Sequence, residues 1–180
     1  CQNGEAKFIP VRESNVSINL VPKKTICIRK NNQNPILLIY IFTIPNGFEK
    51  REKIRNTWAN RTLFPNIRAI FVIGQSNSSK INTQIEEENS IYGDILQGDF
   101  IDNYRNLVLK SILMWKWFIK SRCMKVKFLL KTDDDVYINT EKLIEFLHEN
   151  LDLKNSIIGQ IIQNAYVFRM PFSKYYTACD

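Results

Sequence analysis

The chain has 180 residues, 44% of them hydrophobic and 24% charged, which is enough for one folded domain with its own core and unlike a disordered tail. Twenty-five Lys and Arg against 18 Asp and Glu give a formal charge of +7, which favours an anionic partner such as a phosphate-bearing small molecule, nucleic acid or an acidic membrane surface. The longest apolar run, Ile36 to Ile44, is far below the roughly 18–20 residues of a membrane-spanning helix, so the visible chain is expected to be soluble. It starts at Cys1 rather than Met and shows no signal peptide, which suggests a fragment or a processed product.

Residues 1–34 are polar and carry Pro10, Pro22 and the Asn-rich run Asn31 to Asn34; they read as an irregular stem with little core. The folded domain is expected over 35–180. PILLIYIFTIP (35–45), IRAIFVIG (67–74) and KVKFLL (125–130) are short apolar runs rich in Ile, Val and Phe, and read as buried strands. IIGQII, from Ile157 to Ile162, is a shorter candidate.

Three helices are predicted between and after these runs. In GFEKREKIRNTWAN (47–60), Ile54 and Trp58 share one face and Arg51 and Arg55 another. In DNYRNLVLKSILMWKWFIK (102–120), Tyr104, Leu107, Val108, Ser111, Ile112 and Trp115 form a stripe at steps of three and four, with Asp102 placed to cap the start. TEKLIEFLHENL (140–151) begins at Thr140, which resembles an N-cap. Strands alternating with helices imply an α/β fold, a mostly parallel sheet with helices on both faces. Such sheets bind ligands beyond the carboxyl ends of their strands.

Cys1, Cys27, Cys123 and Cys179 form no CxxC pair, which argues against a zinc cluster and for structural thiols or one or two disulfides. The triplets at Asn15, Asn60 and Asn77 permit N-glycosylation if the chain enters the secretory pathway. The single histidine, His148, falls on the last predicted helix and reads as surface or core.

Asp133, Asp134 and Asp135 directly follow a predicted strand. Three adjacent carboxylates repel one another and need a cation, hydrogen bonds or protonation. Residues two apart point to one side of an extended backbone, so Asp133 and Asp135 can address one hard ion; Mg²⁺ or Mn²⁺ often takes only one or two protein carboxylates, with water and phosphate completing its shell. On these residues alone, an acidic turn capping the Thr140 helix is an equally open reading.

Further context comes from KREKIRNTWAN, IYGDILQGDFIDNYRNLVLKS, CMKVKFLLKTDDDVYIN and SKYY. In this order they resemble the β1,3-galactosyltransferase and β1,3-N-acetylglucosaminyltransferase group, glycosyltransferase family 31, over about Leu37 to Tyr176. The resemblance implies a GT-A fold, UDP-galactose or UDP-N-acetylglucosamine as donor, Mn²⁺ or Mg²⁺ as cofactor, and β1,3 transfer with inversion to a glycan, glycolipid or glycoprotein acceptor. It also implies a type II protein of the Golgi membrane, facing the lumen and anchored by a segment outside this sequence.

By the same resemblance Asp133 and Asp135 would serve the metal, and Asp133 and Asp134 the ribose or metal-bound water. Arg51 and Arg55 match the family's RxxIRxTW pattern and could approach the phosphates; packing or salt bridges around Trp58 is the competing reading. Asp99, Asp102, Tyr104 and Lys110 match the pattern bordering the donor pocket. Residue by residue, Asp102 reads as a cap and Tyr104 as core, while Lys110 could pair with one of the three aspartates across the sheet. Thr43 to Gly47, after the first predicted strand, lie where the base would sit.

The family's Tyr-Pro-Pro-Tyr segment and later acidic motif do not occur, so the general base an inverting transferase needs is expected beyond Asp180. A truncated, inactive sugar-nucleotide-binding module is therefore the alternative function. A haloacid-dehalogenase-like phosphatase fits poorly, because Tyr137 stands two places after Asp135 where that pattern wants Thr or Val. Dispersed Lys and Arg argue against nucleic-acid binding.

Overall fold

A computed structural model describes residues 16–28, 34–160, 162–170 and 172–173. In chain order its elements are β1 (Ile18–Leu20), β2 (Leu37–Phe42), α1 (Phe48–Asn56), β3 (Ile67–Gln75), α2 (Ser79–Tyr92), β4 (Ile95–Ile101), α3 (Leu107–Phe118), β5 (Phe128–Asp133) and α4 (Thr140–Glu149). The strands form one sheet of order β1-β4-β3-β2-β5. All neighbours are parallel except β1 and β4, so the expected mostly parallel α/β fold is present.

The period of two along β2 sorts its side chains between two cores. Leu38 and Phe42 face Leu113, Met114, Trp117 and Phe118 of α3. Leu37, Ile39 and Ile41 face Ile54 of α1, Ile85 of α2 and Leu147 of α4, with Trp58 in the same core. Each fully buried Leu or Ile contributes about 1.5–3 kcal/mol, which is why this apolar run lies inside the sheet, between β3 and β5.

Connection handedness explains which helix covers which face. The crossovers through α1 and α2 step in one direction, from β2 to β3 to β4, whereas the one through α3 returns past both to β5. Parallel crossovers are almost always right-handed, so reversing direction puts α3 on the opposite face. Helices thus cover both faces, as expected.

Besides β1, two elements were not evident from the sequence. In β4 (ILQGDFI), Gly98 and Asp99 disguise the strand. In α2 only Ile85 and Glu88 are buried, so its apolar period is weak; it ends at Gly93, whose φ of 64° suits glycine.

The stripe expected on α3 is corrected. The buried side is Lys110, Leu113, Met114, Trp117 and Phe118, while Tyr104, Val108 and Trp115 are exposed. A helix apolar on nearly every side supports more than one stripe, and periodicity does not choose among them. Its caps differ too: Asn103 accepts from the Asn106 N–H before α3, and Asn139, one residue before Thr140, accepts from the Lys142 N–H at α4.

The chain falls into two units, Ser14–Leu151 and a second made of Cys1–Glu13 with Asp152–Asp180. Every strand and helix among the described residues lies in the first. In the second, the described residues carry neither, so the strand expected at Ile157–Ile162 is absent over residues 157–160 and 162; Gly159 and Gln160 interrupt its apolar run. Among the described residues no helix is long and apolar enough to cross a membrane.

Residues 16–28, read as irregular stem, contribute β1 and bury Ile26 and Cys27. Cys27 is disulfide-bonded to Cys123 across 96 residues of sequence; Cys1 and Cys179 lie outside the described residues. A Cys27→Ser/Cys123→Ser variant should lose about 2–4 kcal/mol in urea denaturation. Reductant should shift the parent protein to the same midpoint and leave the variant unmoved.

Candidate functional site

The strand order changes direction between β2 and β5, so their carboxyl ends flank the crevice where open α/β sheets take ligands. Register sets the contacts there: Phe42 is opposite Asp133, which brings Thr43 level with Asp134. The Thr43 hydroxyl donates to Asp134 Oδ2 at 2.7 Å, and Lys50 Nζ from α1 reaches Asp134 Oδ1 at 2.8 Å. Asp133 instead pairs with Lys131 at 2.7 Å on the surface. Asp135 is exposed and has no hydrogen bond or ion pair among the described residues. The three like charges are therefore separated: one is bonded inward, one is paired at the surface and one is open.

Hydrogen bonding to Asp134, with the charge of Asp134 and more weakly that of Asp135, raises the Lys50 pKa above its ordinary 10.5 against a small effect of burial. The stabilisation from this lysine is therefore complete below pH 10.5 and is lost as pH climbs through the raised value.

Lys110 and Asp102 form a second, buried cluster. Lys110 Nζ lies 2.9 Å from Asp102 Oδ2 and donates to the Thr43 carbonyl at 2.7 Å. The same Asp102 oxygen accepts from the Gly74 N–H at 2.7 Å. Glycine is required at 74, since a Cβ there would come within 2.6 Å of the Phe100 carbonyl oxygen. Lys110 thus pairs with Asp102, not with an aspartate of the 133–135 run, because α3 meets the ends of β3 and β4 before the far side of β2. Asp102 serves the end of the sheet and caps no helix.

Arg51 and Arg55 are both engaged by protein groups. Arg51, 0% exposed, donates through Nε and Nη2 to Glu88, through Nη1 to the Ile44 carbonyl and through Nη2 to the Pro45 carbonyl. Arg55 forks onto Asp94 at 2.8 and 2.9 Å, reaches Glu88 at 2.7 Å and lies over the Tyr92 ring. Burial works to lower the Arg55 pKa, but the bonds and charges of Asp94 and then Glu88 outweigh it and the pKa rises. The pair braces α1, α2 and the loop after β2.

Asp99 exchanges hydrogen bonds with Ser17 and so fastens β1. Tyr104 is 61% exposed rather than core, and His148 lies on the surface of α4. Lys50, Lys131, Glu88 and Asp94 were not nominated from the sequence. Lys50 stands in the KREKIRNTW motif, and two arginines four apart on one helix face call for carboxylates, which α2 and its end supply.

The Galactosyltransferase family model matches residues 49–179. The human lactosylceramide 1,3-N-acetyl-beta-D-glucosaminyltransferase is 33% identical over 158 residues, covering 82% of this chain and 42% of that protein. The human N-acetyllactosaminide beta-1,3-N-acetylglucosaminyltransferase 3 is 34% identical over 150 residues, covering 80% and 40%. Mouse beta-1,3-galactosyltransferase 1 is 37% identical over 112 residues, covering 61% and 34%. The chain spans roughly two fifths or less of the length of these relatives. With the family model covering most of the sequence, and with relatives 33% and 34% identical over 82% and 80% of it, the chain belongs to the galactosyltransferase family.

Proposed function

We propose that this chain is the donor-binding part of a UDP-sugar-dependent β1,3-glycosyltransferase that transfers galactose or N-acetylglucosamine to a hydroxyl of a glycan, glycolipid or glycoprotein. The observation that carries the reading is Asp135, an unpaired carboxylate at the switch-point crevice, next to an Asp134 already fixed by Thr43 and Lys50. Membership of the family supports it.

Among the described residues no three Asp, Glu, His or Cys side chains converge as a ready-made metal cage. Mn²⁺ and Mg²⁺ in nucleotide sites take only one or two carboxylates and complete their shell with water and phosphate oxygens. Asp135 would hold it, with Asp133 contributing by exchanging Lys131 for the metal. When bound, such an ion would supply neutralisation of the diphosphate, a Lewis-acid contribution to the leaving group.

The chain's own residues do the rest. Asp134 fixes the turn after β5 against Thr43, Lys50 offers a cation beside the carboxylates, and the loop 43–47 lies alongside the base. Lys110 and Asp102 keep the ends of β2, β3 and β4 in register beneath the donor. Arg51 and Arg55 act here as frame rather than as phosphate ligands. A lumenal Golgi location suits the Cys27–Cys123 disulfide, since such bonds persist in oxidising compartments. No described residue is assigned as general base.

The test is calorimetric titration of UDP with and without Mn²⁺ into the parent chain and Asp135→Ala. Mn²⁺ should tighten UDP binding to the parent chain by about 10-fold or more, and Asp135→Ala should abolish that gain. Equal affinity in all four titrations would reject the reading.

A further inference from the structure

The other end of α3 carries a feature the donor site does not use. α3 starts beside Thr43, at the carboxyl ends of the strands, and runs back toward the start of β5. Trp117 lies seven residues beyond Lys110, about 10 Å along the axis at 1.5 Å per residue. There it borders a cleft of about 360 Å³, within the usual range of small-molecule sites. Ile18, Val21, Pro22, Ile26 and Trp117 give the cleft an apolar lining, and Lys23, Lys24, Lys116, Lys120 and Arg122 surround it. Among the described residues, no Asp or Glu lines it.

Two of the five cations are engaged: Lys23 donates to the Ile91 carbonyl and Lys116 to the Val16 carbonyl. Lys24, Lys120 and Arg122 are exposed, and their side chains have no hydrogen bond or ion pair among the described residues. The carboxyl end of α3 gives Lys120 and Arg122 a favourable place, but it does not account for Lys24, which comes from a separate turn. That turn and the one bearing Arg122 are joined by the Cys27–Cys123 disulfide, so both walls of the cleft are tied together before any ligand arrives.

We propose that this cleft binds an amphiphilic anion, a molecule with an apolar chain or ring and a phosphate or sulfate head. The apolar lining receives the body, and Lys24, Lys120 and Arg122 receive the head. The proposal is independent of the donor-site reading.

The probe is dodecyl phosphate below its micellar concentration, followed by calorimetry on the full chain, with dodecyl maltoside and inorganic phosphate as partial ligands. Dodecyl phosphate should bind at least about 10-fold more tightly than either. Lys24→Glu/Lys120→Glu/Arg122→Glu, all surface changes, should weaken it about 10-fold or more and leave UDP affinity unchanged. Val21→Asp should weaken it through the apolar lining. Equal binding of dodecyl maltoside, saturation by inorganic phosphate alone, full affinity in the charge-reversed variant, or binding only to anionic phospholipid vesicles would each overturn the proposal.

Discussion

Arg51→Met should cost the fold about 3–5 kcal/mol, the usual penalty for removing one partner of a buried ion pair. Its guanidinium is fully buried and holds Glu88 together with the carbonyls of Ile44 and Pro45. Methionine fills similar space but leaves Glu88 with Arg55 alone and strands the Pro45 carbonyl, while the Ile44 oxygen keeps only the Gly47 N–H. Arg51→Lys should recover only part of the loss, because an ammonium has no planar fork to bridge a carboxylate and two backbone oxygens. Urea denaturation measures both variants, and the lysine variant gives a folded sample for UDP titration. A loss below about 1 kcal/mol, with UDP affinity falling instead, would make Arg51 a phosphate ligand and not a brace.

The second large effect lies at the ends of β2, β3 and β4. Asp102→Leu and Lys110→Met should each destabilise by about 3–5 kcal/mol, since each abandons a buried opposite charge. The side chains are 4% and 2% exposed. The double variant should cost less than the sum, with a coupling of about 1–3 kcal/mol. Additive losses would show that the two groups act through separate partners, Gly74 for one and Thr43 for the other. A ligand role for either would appear as weakened UDP binding in a variant of unchanged stability.

Much of the architecture was legible because β2 and β3 are short apolar runs of buried-strand length, and the half-buried β5 starts with the same kind of run at the sheet edge. The register that brings Thr43 level with Asp134 was not, since pairing between strands some ninety residues apart leaves no mark in either. Glu88 was hidden for a related reason. It sits in a run of three glutamates on a weakly patterned helix, and only the fold selects which of them turns inward to the arginines. Lys110 was expected to pair with an aspartate of the 133–135 run, but its partner, Asp102, depended on which strand end α3 meets first. The aspartate run announced a charge problem, and the division of labour among its three members is a property of the crevice.

That division has an entropic side. Fixing one residue's backbone costs about 1–2 kcal/mol, and folding has already met that cost at Asp134 through Thr43 and Lys50. Asp135 is the adjoining residue, so the peptide that carries its open carboxylate inherits much of the restraint while its side chain keeps no competing bond. A ligand arriving there orders one short side chain instead of a loop, and more of its contact energy remains as affinity.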